Sequence, residues 1–240
     1  MTLEGKRILL TGGTTGIGRA MLLAFARAGA RVLTLGRDAD ALDEALSAAR
    51  QGGGDLHGLT ADLAKRENIE RIFAEVDVRL GGLDILVSNA ALGADPIDAM
   101  ADDDWRYVID VNLVGALACA RGALERLGDG GQILIIGSIS ADIHAPGESV
   151  YSATKAGLQA FAETLRKEVA QRGVRVSLVE PGTVGSDMQA ADAEEQRAAI
   201  ARSEMLRADD IAEAVEFILS RPPRVEVVML RIEPRIQALT

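Results

Sequence analysis

The run Arg7-Ile-Leu-Leu-Thr-Gly-Gly-Thr-Thr-Gly-Ile-Gly18 decides the fold. Its first five residues are a short apolar strand, and from Gly16 the chain turns amphipathic and Ala-rich, as a helix does to about Ala28. Between them lies a loop spaced Gly-x-x-x-Gly-x-Gly, with Gly12, Gly16 and Gly18 as its fixed points and Thr14, Thr15 and Ile17 among them. Glycines there permit a tight turn and let the backbone approach a pyrophosphate seated on a helix N-terminus. Glycine loops are common. One standing between a strand and a helix is a phosphate cradle more often than a plain turn.

Outward from that loop the same alternation recurs. Strands are expected at Arg7–Thr11, Arg31–Leu35, Leu56–Thr60, Leu83–Val87, Gln132–Gly137, Val174–Val179 and Val225–Leu230. Helices are expected at Gly16–Ala28, Asp40–Arg50, Arg66–Leu80, Asp102–Leu127, Val150–Gln171 and Asp209–Ser220. Strand-helix repetition implies right-handed crossovers: an α/β, Rossmann-type doubly wound parallel sheet of about seven strands with helices on both faces. The 240 residues read as one domain, with an irregular segment near 183–206 as a substrate lid. Asp102, Asp103 and Asp104 are expected to cap a helix start rather than to bind metal.

A second pattern carries chemistry. Tyr151-Ser-Ala-Thr-Lys155 lies in a predicted helix, so Tyr151 and Lys155 stand one turn apart on one face. A phenol titrates near 10 when free, and an ammonium beside it is expected to lower that value toward the range acid–base catalysis needs. Ser138 ends an apolar strand, at the edge where open α/β sheets bind ligands. Taken alone, a Tyr-x-x-x-Lys spacing arises often by chance, as a solvated pair.

Composition narrows the partners. The net charge of −10 argues against nucleic acid or an anionic membrane surface. A 48% hydrophobic content with only 3% aromatics predicts a core of Ala, Leu, Val and Ile. Cys119 is the single cysteine, expected as a small core residue in a reducing compartment. No leader is apparent and no apolar run is expected to reach membrane-spanning length, so the reading is a soluble, cytoplasmic protein.

Further motifs fall in order: Asp62 after the third strand, Ser88-Asn-Ala-Ala91 after the fourth, Asn112 in a long helix, and Pro181-Gly-Thr-Val-Gly-Ser186 after the sixth strand. With the glycine loop, Ser138, Tyr151 and Lys155, these resemble the short-chain dehydrogenase/reductase family over nearly the whole chain. The resemblance implies catalytic roles for Asn112, Ser138, Tyr151 and Lys155. Asn112 would hold a water linking Lys155 to solvent, and Lys155 would also bind the nicotinamide ribose. It implies cofactor contacts from Gly12, Thr14, Thr15, Gly16, Ile17, Gly18, Arg37, Asp62, Leu63, Asn89, Ala90, Tyr151, Lys155, Pro181, Gly182, Val184 and Ser186. No metal is implied. Ser88, Ala91 and Ser186 depart from the usual Asn, Gly and Thr. Relatives commonly form tetramers or dimers through the helix carrying Tyr151, where Ala156, Gly157, Ala160 and Ala162 offer close packing.

Cofactor choice is read at the second strand's end. NAD enzymes commonly place an acid there for the ribose 2′-hydroxyl. This chain has Gly36 followed by Arg37, which suits a 2′-phosphate and predicts NADP, while Asp38 is expected to cap the next helix. The substrate is expected to be a small alcohol or carbonyl compound meeting Ser138, Ser140, His144, Tyr151 and Met188. Val179–Gly185 and Arg221–Leu230 resemble a subgroup of NADP-dependent 3-hydroxy acid (serine) dehydrogenases, which implies a carboxylate-bearing substrate met by Arg202 or Arg207. The rival expectation is a non-catalytic dinucleotide-binding regulator on the same fold.

Overall fold

The computed structural model describes residues 2–186, 189 and 191–237. Seven parallel strands form one sheet: β1 (Arg7–Thr11), β2 (Arg31–Gly36), β3 (Asp55–Thr60), β4 (Ile85–Ser88), β5 (Gln132–Ile136), β6 (Arg175–Pro181) and β7 (Met229–Ile232). Their order is β3-β2-β1-β4-β5-β6-β7. The chain winds outward from β1 through β2 to β3, then returns to place β4 on the other side of β1. That reversal parts the loops following β1 and β4 and opens a crevice at the strands' carboxyl ends.

The helices are α1 (Gly16–Arg27), α2 (Ala39–Arg50), α3 (Arg66–Glu75), α4 (Asp102–Ile109), α5 (Gly115–Leu124), α6 (Ser140–Ile143), α7 (Ser149–Val169), α8 (Ala193–Ala201) and α9 (Ala208–Leu219). Alternate strand residues face opposite layers. Ile8 and Leu10 pack with Leu22, Phe25, Ile211 and Val215 of α1 and α9, whereas Leu9 joins Ile72, Phe73, Cys119 and Leu158 of α3, α5 and α7. With both faces covered, β4 and β5 are buried throughout. Cys119 is fully buried, and desolvation pushes its thiol up to about 12, so it is an inert core residue as expected.

Several local expectations need correction. The last strand begins at Met229, not Val225, because the Glu226 side chain accepts the Val176 N–H at 3.0 Å, where a paired strand would offer its own carbonyl. The helix expected over Arg66–Leu80 closes with a π turn, Val76–Leu80, and the one expected over Asp102–Leu127 carries a π turn, Asp110–Val114, between α4 and α5. Ala101, not an aspartate, holds the N-cap position of α4. The three aspartates occupy its first turn, and Asp102 accepts from Trp105 and Arg106. Asp102–Leu124 is long and apolar enough by composition to cross a membrane, contrary to expectation. Its apolar character comes from the face that carries Ala116, Cys119, Ala120 and Ala123 into the core. Of the small residues on α7, Ala162 is spent in that core, and a Cβ on Gly157 would come within 3.3 Å of Leu113 of the same chain.

Candidate active site

The crevice between the ends of β1 and β4 is walled by the glycine loop. Gly12 sits at φ +70°, and a Cβ there would come 2.8 Å from the Ala90 backbone, so the loops after β1 and β4 touch only because Gly12 has no side chain. A Cβ on Gly18 would overlap the Gly12 carbonyl, which fixes α1 close against the loop. Thr15 stands at the N-cap of α1 but makes no side-chain cap bond, leaving the first-turn N–H groups directed at the crevice. Thr11 Oγ1 accepts from the N–H groups of Asn89 (2.9 Å) and Ala90 (3.0 Å), and Asn89 Nδ2 donates to the carbonyls of Thr11 and Gly12. Asn89 therefore holds two loops together as well as lining the crevice.

At the far end of this crevice are Gly36 and Arg37. A Cβ on Gly36 would collide with the Thr14 methyl, so an acidic side chain at the end of β2 would need the Thr14 side chain to turn away. Asp38 turns away and accepts the Ala41 N–H at 3.0 Å, capping α2 as expected. The Arg37 guanidinium donates to Tyr107 Oη (3.1 Å), which donates to Asp62 Oδ2 (3.0 Å). Of the expected cofactor contacts, only Asp62 lies off the crevice wall: its oxygens are turned to Tyr107 and to the Ala64 N–H, while its neighbours Ala61 and Leu63 line the wall. Tyr107 escaped the sequence reading. It comes from α4, and no local pattern ties it to Arg37.

Tyr151 and Lys155 project from α7 toward the end of β5, with Lys155 Nζ 5.4 Å from the Tyr151 ring centre. Lys155 is 2% exposed and donates to the Ile136 carbonyl at 3.1 Å. Burial pulls its ammonium down to about 8. The expected fall in the Tyr151 value does not occur. Burial pushes the phenol up to about 12, a hydrogen bond with Ser138 works against that, and the nearby charge of Glu148 adds to it.

Asn112 is buried in the π turn and lines neither the crevice nor the hollow beyond it. Its Oδ1 accepts from the Leu92 N–H (2.7 Å), and its Nδ2 donates to the Leu92 carbonyl (2.8 Å) and to Thr154 Oγ1 (3.4 Å). Both N–H donors are spent, so the expected water would find only one lone pair on this side chain. These bonds tie the loop after β4 to α7 through one amide.

Beyond Ser138 and Tyr151 the crevice continues into a second hollow. Gly93, Ala94, Ile139, Ser140, Ile143, Ala145 and Thr183 line it, from the segments expected around the substrate. Ser138 Oγ donates to Ser140 Oγ at 3.2 Å, and Ser140 Oγ donates to Glu148 Oε2 at 2.9 Å. His144, an expected contact, does not line the hollow; it ends α6 at φ +52° with its side chain exposed. Met188 lies outside the described residues. Arg202 and Arg207 pair with Glu204 (2.8 Å) and Asp210 (2.7 Å) and line neither hollow, so neither stands ready for a substrate carboxylate. Sequence reasoning missed Glu148 and Gln237. Gln237 reaches back from the chain's end to bond the Thr183 N–H and hydroxyl. The segment beyond β6 is pinned at its base by Val184 pairing with Leu206, and α8 stands above it with an Asp192–Glu195 capping box.

Residues 6–227 match the family profile described as short chain dehydrogenase. The chain belongs to that family. Carbonyl reductase family member 4 of Danio rerio is 36% identical over 215 residues, covering 88% of this chain and 90% of the relative. Among solved structures, a short chain dehydrogenase from Burkholderia cenocepacia J2315 in complex with NADP superposes with a TM-score of 0.88 at 30% identity, covering 98% of both chains. A 3-ketoacyl-(acyl-carrier-protein) reductase from Brucella melitensis complexed with NADH gives 0.87 at 25% identity, covering 98% of this chain and 99% of that one. The chain is thus an oxidoreductase of the short-chain dehydrogenase family. Its departures from the family pattern are accommodated locally. Ser88 is buried at the end of β4, and Ala91 and Ser186 line the crevice. Ser186 packs against the glycine loop, where a Cβ on Gly16 would come 3.0 Å from the serine's own.

Proposed function

We propose that this short-chain dehydrogenase is an NADP-dependent reductase of small carbonyl compounds, with Tyr151 and Ser138 at the reacting oxygen. The observation that carries this reading is that both residues line both hollows, at the junction of the dinucleotide crevice and the substrate side. The uncapped start of α1, the glycine loop and Arg37 suit a pyrophosphate and a 2′-phosphate. Pro181, Gly182 and Val184, which line the crevice, would hold the nicotinamide, whose chemistry when bound would be hydride transfer.

The chain's own groups do the rest. Tyr151, with its phenol pushed up to about 12, remains protonated at neutral pH. That is the form that protonates a carbonyl oxygen as the hydride arrives. Ser138 shares that oxygen through its hydroxyl and stabilises the charge building on it. Lys155 keeps N–H donors beyond the one given to Ile136 and offers them to ribose hydroxyls at the wall. Asn112 holds the Leu92 loop and Thr154 in place around them.

The choice of NADP over NAD rests on Gly36 and Arg37, since the two solved relatives hold NADP and NADH respectively. The test is oxidation of NADPH and of NADH, followed optically across a panel of small aldehydes and ketones. Turnover with NADPH and a clearly lower kcat/KM with NADH are expected. Equal or better efficiency with NADH removes the cofactor assignment, and absence of turnover with every compound removes the reductase reading.

A further inference from the structure

Among the described residues lining the second hollow, Glu148 is the only charged one. It precedes α7 directly, where a carboxylate could simply favour the positive end of a 21-residue helix. The geometry departs from that simple role. Glu148 occupies the N-cap position but its side chain makes no cap bond; only its backbone carbonyl serves the helix, accepting the Ser152 N–H. The carboxylate turns instead to Ser140 Oγ, and through that hydroxyl stands two hydrogen bonds from Ser138 Oγ. Glu148 is half-buried, and no lysine, arginine or histidine among the described residues pairs with it. Ser140 occupies one oxygen; the other has no protein donor among those residues. A carboxylate lining a half-buried hollow, with an open acceptor oxygen and no counter-charge, is placed to accept from a molecule bound there.

We infer that Glu148 is a specificity-determining residue, which selects carbonyl substrates bearing a hydrogen-bond donor, a hydroxyl or a protonated amine, close to the reacting carbon. The same charge rejects substrates bearing a carboxylate at that place. This rests on the reductase reading above and gives its substrate class. Ser140 supports Glu148: its hydroxyl orients the carboxylate while its N–H and hydroxyl hold Ser138. Ser140→Ala therefore loosens both.

The test uses four methyl ketones of the form CH3–CO–CH2–X, with X a hydroxyl, an ammonium, a carboxylate or a methyl group, and NADPH as reductant. The wild-type protein is expected to prefer the hydroxyl and ammonium ketones over the carboxylate one by about 10²-fold in kcat/KM, the order expected for like charges a few ångströms apart near a protein surface. Glu148→Gln, which keeps an acceptor for Ser140 but loses the charge, should reduce that ratio by about tenfold or more. Glu148→Asp should retain the preference, which separates loss of charge from loss of folding. A carboxylate ketone accepted as well as the hydroxyl ketone by the wild type, or a ratio that Glu148→Gln leaves unmoved, overturns the inference alone, because the methyl-bearing ketone still reports reductase activity. Silence with all four ketones brings down the reductase reading and this inference with it.

Discussion

The two halves of the crevice are made differently. The dinucleotide half is a backbone surface: Gly12 and Gly18 leave room where any side chain would meet the Ala90 backbone or the Gly12 carbonyl. The Asn89 and Thr11 bonds that lock it run to backbone groups. The substrate half is a side-chain surface. Ser138, Ser140 and Glu148 form its polar wall, and Thr183 is fixed by Gln237 from the far end of the chain. Backbone walls tolerate little variation, because a new Cβ has nowhere to go. Side-chain walls change chemistry with one substitution and leave the fold intact. On the function proposed above, the common part of the reaction belongs on the first wall and the choice of substrate on the second.

Three substitutions sharpen or break that division. The largest effect is expected at the junction. Tyr151→Phe should keep the fold and cofactor binding but lower kcat by about 10²–10⁴-fold, the usual worth of general acid–base catalysis. Single-turnover rates beside a fluorescence titration with NADPH check it, and a variant retaining most of its turnover removes Tyr151 from the acid role. Next comes Arg37→Ala on the backbone wall, where a side chain supplies the selectivity. The ratio of kcat/KM for NADPH over NADH should fall by about 10–10²-fold, the worth of a hydrogen bond to a charged group. A ratio unchanged by the substitution shows that the glycine loop alone reads the phosphate.

The smallest effect concerns stability. Burial holds the Lys155 ammonium at about 8, against the ordinary lysine value of 10.5. Below pH 8 both folded and unfolded chains carry the proton, and the fold bears the full desolvation cost. Between pH 8 and 10.5 the fold sheds a proton the unfolded chain keeps, so stability rises with pH. Tyr151, raised to about 12, acts oppositely and lowers stability only between pH 10 and 12. Lys155→Met should therefore stabilise the protein at pH 7 by roughly 1–2 kcal/mol after loss of the Ile136 bond, and should flatten the rise above pH 8. Denaturant unfolding at pH 7 and 9.5 reads both. A variant less stable than wild type at pH 7 would show that the buried ammonium is a net asset to the fold.

From its sequence alone this protein determined its strand-helix alternation, the glycine loop between β1 and α1, most residues of the crevice wall and the grouping of Ser138, Tyr151 and Lys155. Those features are written in periods of two and 3.6 residues, in glycines with fixed spacing, and in neighbours one helical turn apart, all of which are local. The start of β7 and the π turn at Asp110–Val114 were not legible in this way, because each sits among contacts from distant segments: Glu226 takes a β6 N–H, and Asn112 accepts the Leu92 N–H of the loop after β4. The tertiary structure also decided the sign at Tyr151, since burial is a sum over distant segments that no short window contains. It likewise paired Arg202 and Arg207 elsewhere and brought Glu148 and Gln237 to the substrate side. A side chain's charge is a property of sequence. Which cavity feels that charge depends on how five or more separate segments meet.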